Sequence, residues 1–135
     1  MTVPNLLLRF CLFYIGLIIV AWIVLVLLRL ENFVGLDAAL LFGAITLVSR
    51  QFAKSNGRYF SKEEKTRVIL GMLAIDFVIQ VVLSVFPSIL FSGRVPQPGP
   101  IALMLGIVVF IHFLAISLFV TMERRFLVKQ GLIEA

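Results

Sequence analysis

The stretch at residues 10–28, FCLFYIGLIIVAWIVLVLL, places nineteen residues without a formal charge between Arg9 and Arg29. As a helix rising ~1.5 Å per residue it is about 28 Å long, enough to cross the hydrocarbon core of a bilayer. A cleaved signal peptide would have a shorter apolar run, a stronger basic leader and a small-x-small cleavage site before "RLENF", so the segment is expected to be a retained membrane span. The rest of the chain shares this character. Of its 135 residues 61% are hydrophobic and only 14% charged, outside the range of soluble domains.

Three further spans are predicted, at about 33–53, 68–86 and 101–122. The second is the least apolar, because only twelve residues separate Asp37 from Arg50. Its helix must run past both charges, from about Phe33 to Ala53, with Asp37 near one interface and Arg50 snorkelling towards the other. The third span is expected to close at Pro87 and holds Asp76; the fourth has no formal charge at pH 7 but holds His112. Together these predict an all-α integral membrane protein, one antiparallel four-helix bundle over 1–135.

Basic residues set topology, since positive charges flanking a span resist translocation. Of the twelve, Arg50, Lys54, Arg58, Lys62, Lys65 and Arg67 lie around the middle loop, Arg124, Arg125 and Lys129 follow span four, and Arg9 precedes span one. Arg29 and Arg94 fall on the other side. Ten against two predicts cytoplasmic termini and middle loop, and the net charge of +5 follows from this belt. The belt is juxtamembrane, so membrane lipids rather than nucleic acid are its expected partners. Within the loop, Gly57 is placed to end a helix, and Ser61 with Glu64 has the spacing of a capping box that starts the next near Lys62.

An acid at bilayer depth costs a few kcal/mol, about 3 on insertion scales, and so needs a partner, a proton or a function. Asp76 lies ~12 Å from the cytoplasmic interface and His112 ~15 Å, nearly the same depth on helices expected to be neighbours. Arg50 competes as a partner, and a protonated Asp76 that only donates a hydrogen bond is the third option. Asp76, Gln80 and Ser84 form one polar stripe. Gly35, Ala39 and Gly43, continuing through Thr46 to Arg50, form a small-residue groove on span two. The simplest assembly sets stripe into groove, tied by Asp76 and Arg50; the functional reading is a proton or cation relay through Asp76 and His112.

Cys11 is alone, which excludes an internal disulfide, and no metal-ligand spacing, nucleophile elbow, phosphate loop or dinucleotide fingerprint is present. The chain is therefore expected to be no enzyme and to hold no cofactor or metal. At the outer face Pro96, Pro98 and Pro100 predict a stiff extended arch that presents Arg94 and Gln97. With Arg29, Glu31, Asn32 and Asp37 these residues form a mixed-charge rim suited to a protein partner or a lipid-linked phosphate. The groove on span two leaves oligomer formation open.

The span layout and the segment FAKSNGRYFSKEEK at 52–65 carry a resemblance over nearly the full length. The chain resembles short four-span inner-membrane proteins of Gram-negative bacteria that have an aromatic, basic-Gly-Arg, Ser/Thr-x-x-Glu pattern before the third span. Some proteins of this size and layout are immunity proteins for bacteriocins of the colicin M or pyocin M type, which destroy the lipid-linked peptidoglycan precursor on the periplasmic side. The resemblance implies a non-catalytic protein whose outer face blocks such a toxin, with Arg29, Glu31, Asp37, Arg94 and Gln97 as the rim available to do so. Two other readings stand beside it: a small proton-coupled transporter using Asp76 and His112, and an accessory or assembly subunit of a membrane complex. The transporter would differ from the four-span multidrug exporters, which carry a Glu in a first span that is acid-free here.

Overall fold

The computed structural model describes residues 1–29, 35–92 and 98–133, and these form four α-helices: α1 (Val3–Leu28), α2 (Leu36–Asn56), α3 (Lys62–Ser92) and α4 (Pro98–Lys129). Each contains a stretch long and apolar enough to cross a membrane, and the chain is an all-α multi-pass membrane protein. Glu31, Asn32, Phe33, Arg94, Pro96 and Gln97 lie outside the described residues, as does the side chain of Ser84.

Local chemistry explains most helix ends. Pro4 sits in the first turn of α1, where its missing N–H has no helical partner to lose. Gly35 (φ 93°) opens α2 and Gly57 (φ 63°) closes it, both left-handed, a conformation open to glycine at no steric cost. Arg29 takes the same conformation (φ 52°) at the end of α1 despite its Cβ, and its N–H is shared between the carbonyls of Leu25 and Val26. At the start of α3 the predicted capping box is formed: Ser61 N–H donates to Glu64 Oε2 at 2.9 Å and Glu64 N–H donates to Ser61 Oγ at 3.3 Å.

Two expectations about boundaries are corrected. Helix α3 continues through Pro87 to Ser92, because one lost hydrogen bond does not outweigh a helix that must keep its other backbone groups paired in lipid. Pro98 and Pro100 belong to the first turn of α4 rather than to an extended arch, since the first helical turn needs no N–H from them.

The helices contact one another around a ring in the order α1, α2, α4, α3, and α2 and α3 face each other across a diagonal without touching among the described residues. Contacts give the directions. Arg9 reaches Gln51 and the Asn56 amide donates to the Met1 carbonyl, so α1 and α2 are antiparallel. Lys65 bonds Thr121 while Asp76 bonds His112, so α3 and α4 are antiparallel as well. The sequence-based assembly of span three on span two is therefore wrong. The buried face of α2 is bulky: Leu41, Ala44, Ile45, Val48, Ser49, Phe52 and Ala53 follow helical spacing and turn towards α1 and α4. Burying that face removes more surface than the small-residue groove would, and Gly35 and Ala39 are left exposed. The close approach in the bundle is elsewhere, at Gly71 of α3, where the Leu7 side chain of α1 fills the space a Cβ would need.

Because α2 and α3 are diagonal, the segment joining them crosses one end of the bundle. Its aromatic residues cover that end: Phe60 packs on Phe52 and on Tyr59, each at 4.5 Å between ring centroids. The Tyr59 hydroxyl donates to the Val120 carbonyl of α4. Burial raises the Tyr59 pKa above its ordinary value, so the phenol stays protonated and keeps its donor role. Arg58 completes the crossing with two bonds to Glu64, at 2.6 and 2.9 Å.

Candidate functional site

Inside the apolar bundle the described polar groups collect at two points. The first is centred on Asp76, which has no exposed surface. Its Oδ1 accepts a 2.9 Å hydrogen bond from the Tyr14 hydroxyl of α1, and its Oδ2 lies 2.6 Å from Nδ1 of His112 on α4. Three helices thus meet at one carboxylate. His112 is itself buried, and Tyr14 is 1% exposed and stacks on Phe10, one turn away. The nitrogen facing Asp76 carries a proton whenever the carboxylate is ionised, which assigns the neutral imidazole its tautomer.

This cluster adjoins a cavity of about 260 Å³ whose wall includes Tyr14, Gln80, Trp22, Leu25 and Asp37. One water needs only ~15 Å³ of such space, so the volume admits several. Polar groups mark its length: Asp37 is exposed in the first turn of α2, Gln80 lies one turn beyond Asp76 on α3, and Tyr14 touches the carboxylate itself. The cavity therefore extends from Asp37 to Tyr14, whose hydroxyl links it to the buried carboxylate.

The second polar point is nearer the basic end. Glu123 of α4, 1% exposed, receives Arg50 Nε at 3.2 Å and the Thr46 hydroxyl at 3.4 Å, both from α2. This corrects the expected Arg50 to Asp76 tie. Arg50 and Asp76 lie on diagonal helices, whereas α2 and α4 are parallel neighbours that bring Arg50 and Glu123 together. Next to it the buried hydroxyl of Ser49 has no hydrogen-bond partner among the described residues.

Of the residues singled out in the sequence, Asp76 and His112 are joined, Gln80 and Asp37 share the cavity wall, and Arg50 belongs to the other cluster. Arg29 is exposed at the end of α1; Glu31, Arg94 and Gln97 lie outside the described residues. Tyr14 and Glu123 were missed. The signal for Tyr14 was a phenol in mid-span, whose hydroxyl needs a partner once buried. For Glu123 it was a lone acid beside two arginines at the end of an apolar run, at the depth of Arg50. The described residues contain no group of three His, Cys, Asp or Glu placed to hold a metal.

The comparisons with known proteins add no template for this arrangement: no family model, no curated protein and no solved structure matches the chain.

Two substitutions probe the clusters. Tyr14→Phe leaves Asp76 Oδ1 without its donor and is expected to cost about 1 kcal/mol. In detergent this reads as a melting temperature lowered at unchanged helical content, and an unchanged melting temperature would contradict the bond. Arg50→Met leaves the buried Glu123 with only its Thr46 donor and is expected to cost about 2 kcal/mol, less than a fully buried pair because Arg50 is half exposed; adding Glu123→Leu should recover most of that loss. Equal stability of Arg50→Met and the double variant would show that losing Arg50 does not strand Glu123.

Proposed function

We propose that the chain is a non-catalytic, proton-coupled transporter of the bacterial inner membrane, exchanging protons for a small cation through the Tyr14–Asp76–His112 cluster. The ten-to-two distribution of lysine and arginine orients it with both termini and the aromatic crossing in the cytoplasm. The cavity bounded by Asp37 then belongs to the periplasmic half. One observation carries the reading: a fully buried carboxylate, hydrogen-bonded to a histidine and to Tyr14, sits beside a cavity whose otherwise apolar wall carries Tyr14, Gln80 and Asp37. Ionisable residues held inside a membrane bundle mark proton and ion pathways.

The chemistry follows from charge balance. With one proton on Nδ1 and an ionised carboxylate the pair is net negative; a second proton on the imidazole makes it neutral overall. Protons in such a pair belong to the pair rather than to either residue. Loss of that second proton leaves a net charge in a medium that solvates it poorly, which favours entry of a compensating cation. The cavity supplies the place, and Gln80, Asp37 and the Tyr14 oxygen supply acceptors for it. Uptake of a proton restores neutrality and releases the cation, giving exchange of one for one.

The protein reconstituted into liposomes with an internal pH dye should couple an imposed potassium, sodium or tetraethylammonium gradient to a pH change. Asp76→Asn should abolish that coupling while keeping the helical content. Exchange that survives in Asp76→Asn, or that does not exceed empty liposomes in the wild type, rejects the reading.

A second reading, an immunity-type docking protein, is favoured by Arg29 and Asp37, which are exposed together at the proposed periplasmic end. Its expected outcome is survival of a sensitive strain that expresses the chain when challenged with a lipid II-degrading bacteriocin. Death of those cells at normal expression removes it.

A further inference from the structure

A second polar cavity, again about 260 Å³, lies at the basic end where the aromatic crossing meets the start of α3 and the last turns of α4. Its polar wall is built from Tyr59, Ser61, Lys62, Lys65, Thr121 and Arg124. Three of these are cations, and among the described residues that line it there is no carboxylate. Of the nearby acids, Glu64 is engaged by Arg58 and Glu123 by Arg50, while Glu63, in the same turn of α3, is exposed and outside the cavity wall. Lys65 is fixed in place: its ammonium donates to Thr121 Oγ1 at 2.8 Å, and that hydroxyl donates on to the Ser117 carbonyl at 2.7 Å. The Lys62 ammonium and the Arg124 guanidinium make no hydrogen bond to other described residues, so both retain their donors for an incoming group.

From this wall we infer that the cavity binds the phosphate of an anionic phospholipid headgroup. A phosphodiester carries one negative charge and accepting oxygens, which match a guanidinium, two ammonium groups and a serine hydroxyl. The position decides for a lipid over a soluble anion. Lys65 lies one turn before Val68, where α3 enters the apolar core, and Leu70 and Leu118, one turn deeper on the same two helices, are exposed to carry acyl chains. Basic pockets between transmembrane helices recognise anionic headgroups in this way. This site is separate from the Asp76 cluster and does not depend on the transport reading.

The test is the melting temperature of the purified full chain in detergent with added short-chain phosphatidylglycerol, phosphatidylcholine of the same chain length, or inorganic phosphate. A ligand that binds only the folded state raises the melting temperature as its concentration passes its Kd. Phosphatidylglycerol should raise it, and the other two should not. Arg124→Gln should weaken the apparent affinity about fivefold, at roughly the free energy one cation supplies at a membrane surface. Arg125→Gln with Lys129→Gln removes two charges at the same end outside the cavity wall and should leave the affinity within twofold. Equal weakening in both variants would reduce the effect to the general charge of the belt and overturn the site. An equal shift from inorganic phosphate would overturn the lipid assignment, and no shift with phosphatidylglycerol would overturn both. The Arg124 side chain is exposed and makes no hydrogen bond to other described residues, so its replacement by Gln does not threaten folding.

Discussion

A carboxylate with no exposed surface at membrane depth cannot be left to solvent, and the arrangement of this bundle follows from how Asp76 is satisfied. Its two oxygens take one partner each, Tyr14 from α1 and His112 from α4. Because each partner comes from a different helix, the two bonds set the depth and rotation of three helices at once. Hydrophobic packing alone would not do this between helices in lipid, where the apolar faces gain little from meeting each other rather than acyl chains. Exposed Leu12, Trp22, Val78 and Leu103 show how much apolar surface is left to the membrane.

The fourth helix of the ring is held differently. Helix α2 does not contribute to the Asp76 cluster; it is tied to α4 by Arg50 and Thr46 on Glu123 and packs through its bulky face. One cluster joins α1, α3 and α4 and the other joins α2 to α4, at a different depth. One is fully enclosed beside a cavity leading towards Asp37. The other has a half-exposed arginine near the basic end, where water can screen the pair. The contact that holds α2 therefore shares no side chain with the enclosed cluster.

The diagonal relation of α2 and α3 has its own effect on the molecule. It draws the Gly57–Ser61 segment across the basic end, where Phe60, Phe52 and Tyr59 close the bundle and the capping box of α3 is formed. The same crossing brings Ser61 and Lys62 beside the end of α4 and so creates the cationic cavity. The two polar cavities consequently sit at opposite ends, one with an acid in its wall and one without.

Length and polarity were enough to read the four helices from the sequence, because a bilayer demands about twenty apolar residues with their backbone hydrogen bonds kept inside each segment. Gly57, Ser61 and Glu64 were legible for a similar reason, since caps are local and depend on neighbours a few residues apart. The equal depth of Asp76 and His112 could also be counted along the chain. What counting cannot supply is which helix lies beside which, and that depends on the whole set of side chains packing together. The ring order made Glu123 rather than Asp76 the partner of Arg50, brought Tyr14 to the buried acid, and left Gly35 and Ala39 of the small-residue groove exposed. A lone polar residue in a span announces that it has a partner, but only the tertiary structure decides its identity, because the choice is made by helices distant in sequence competing for the same face.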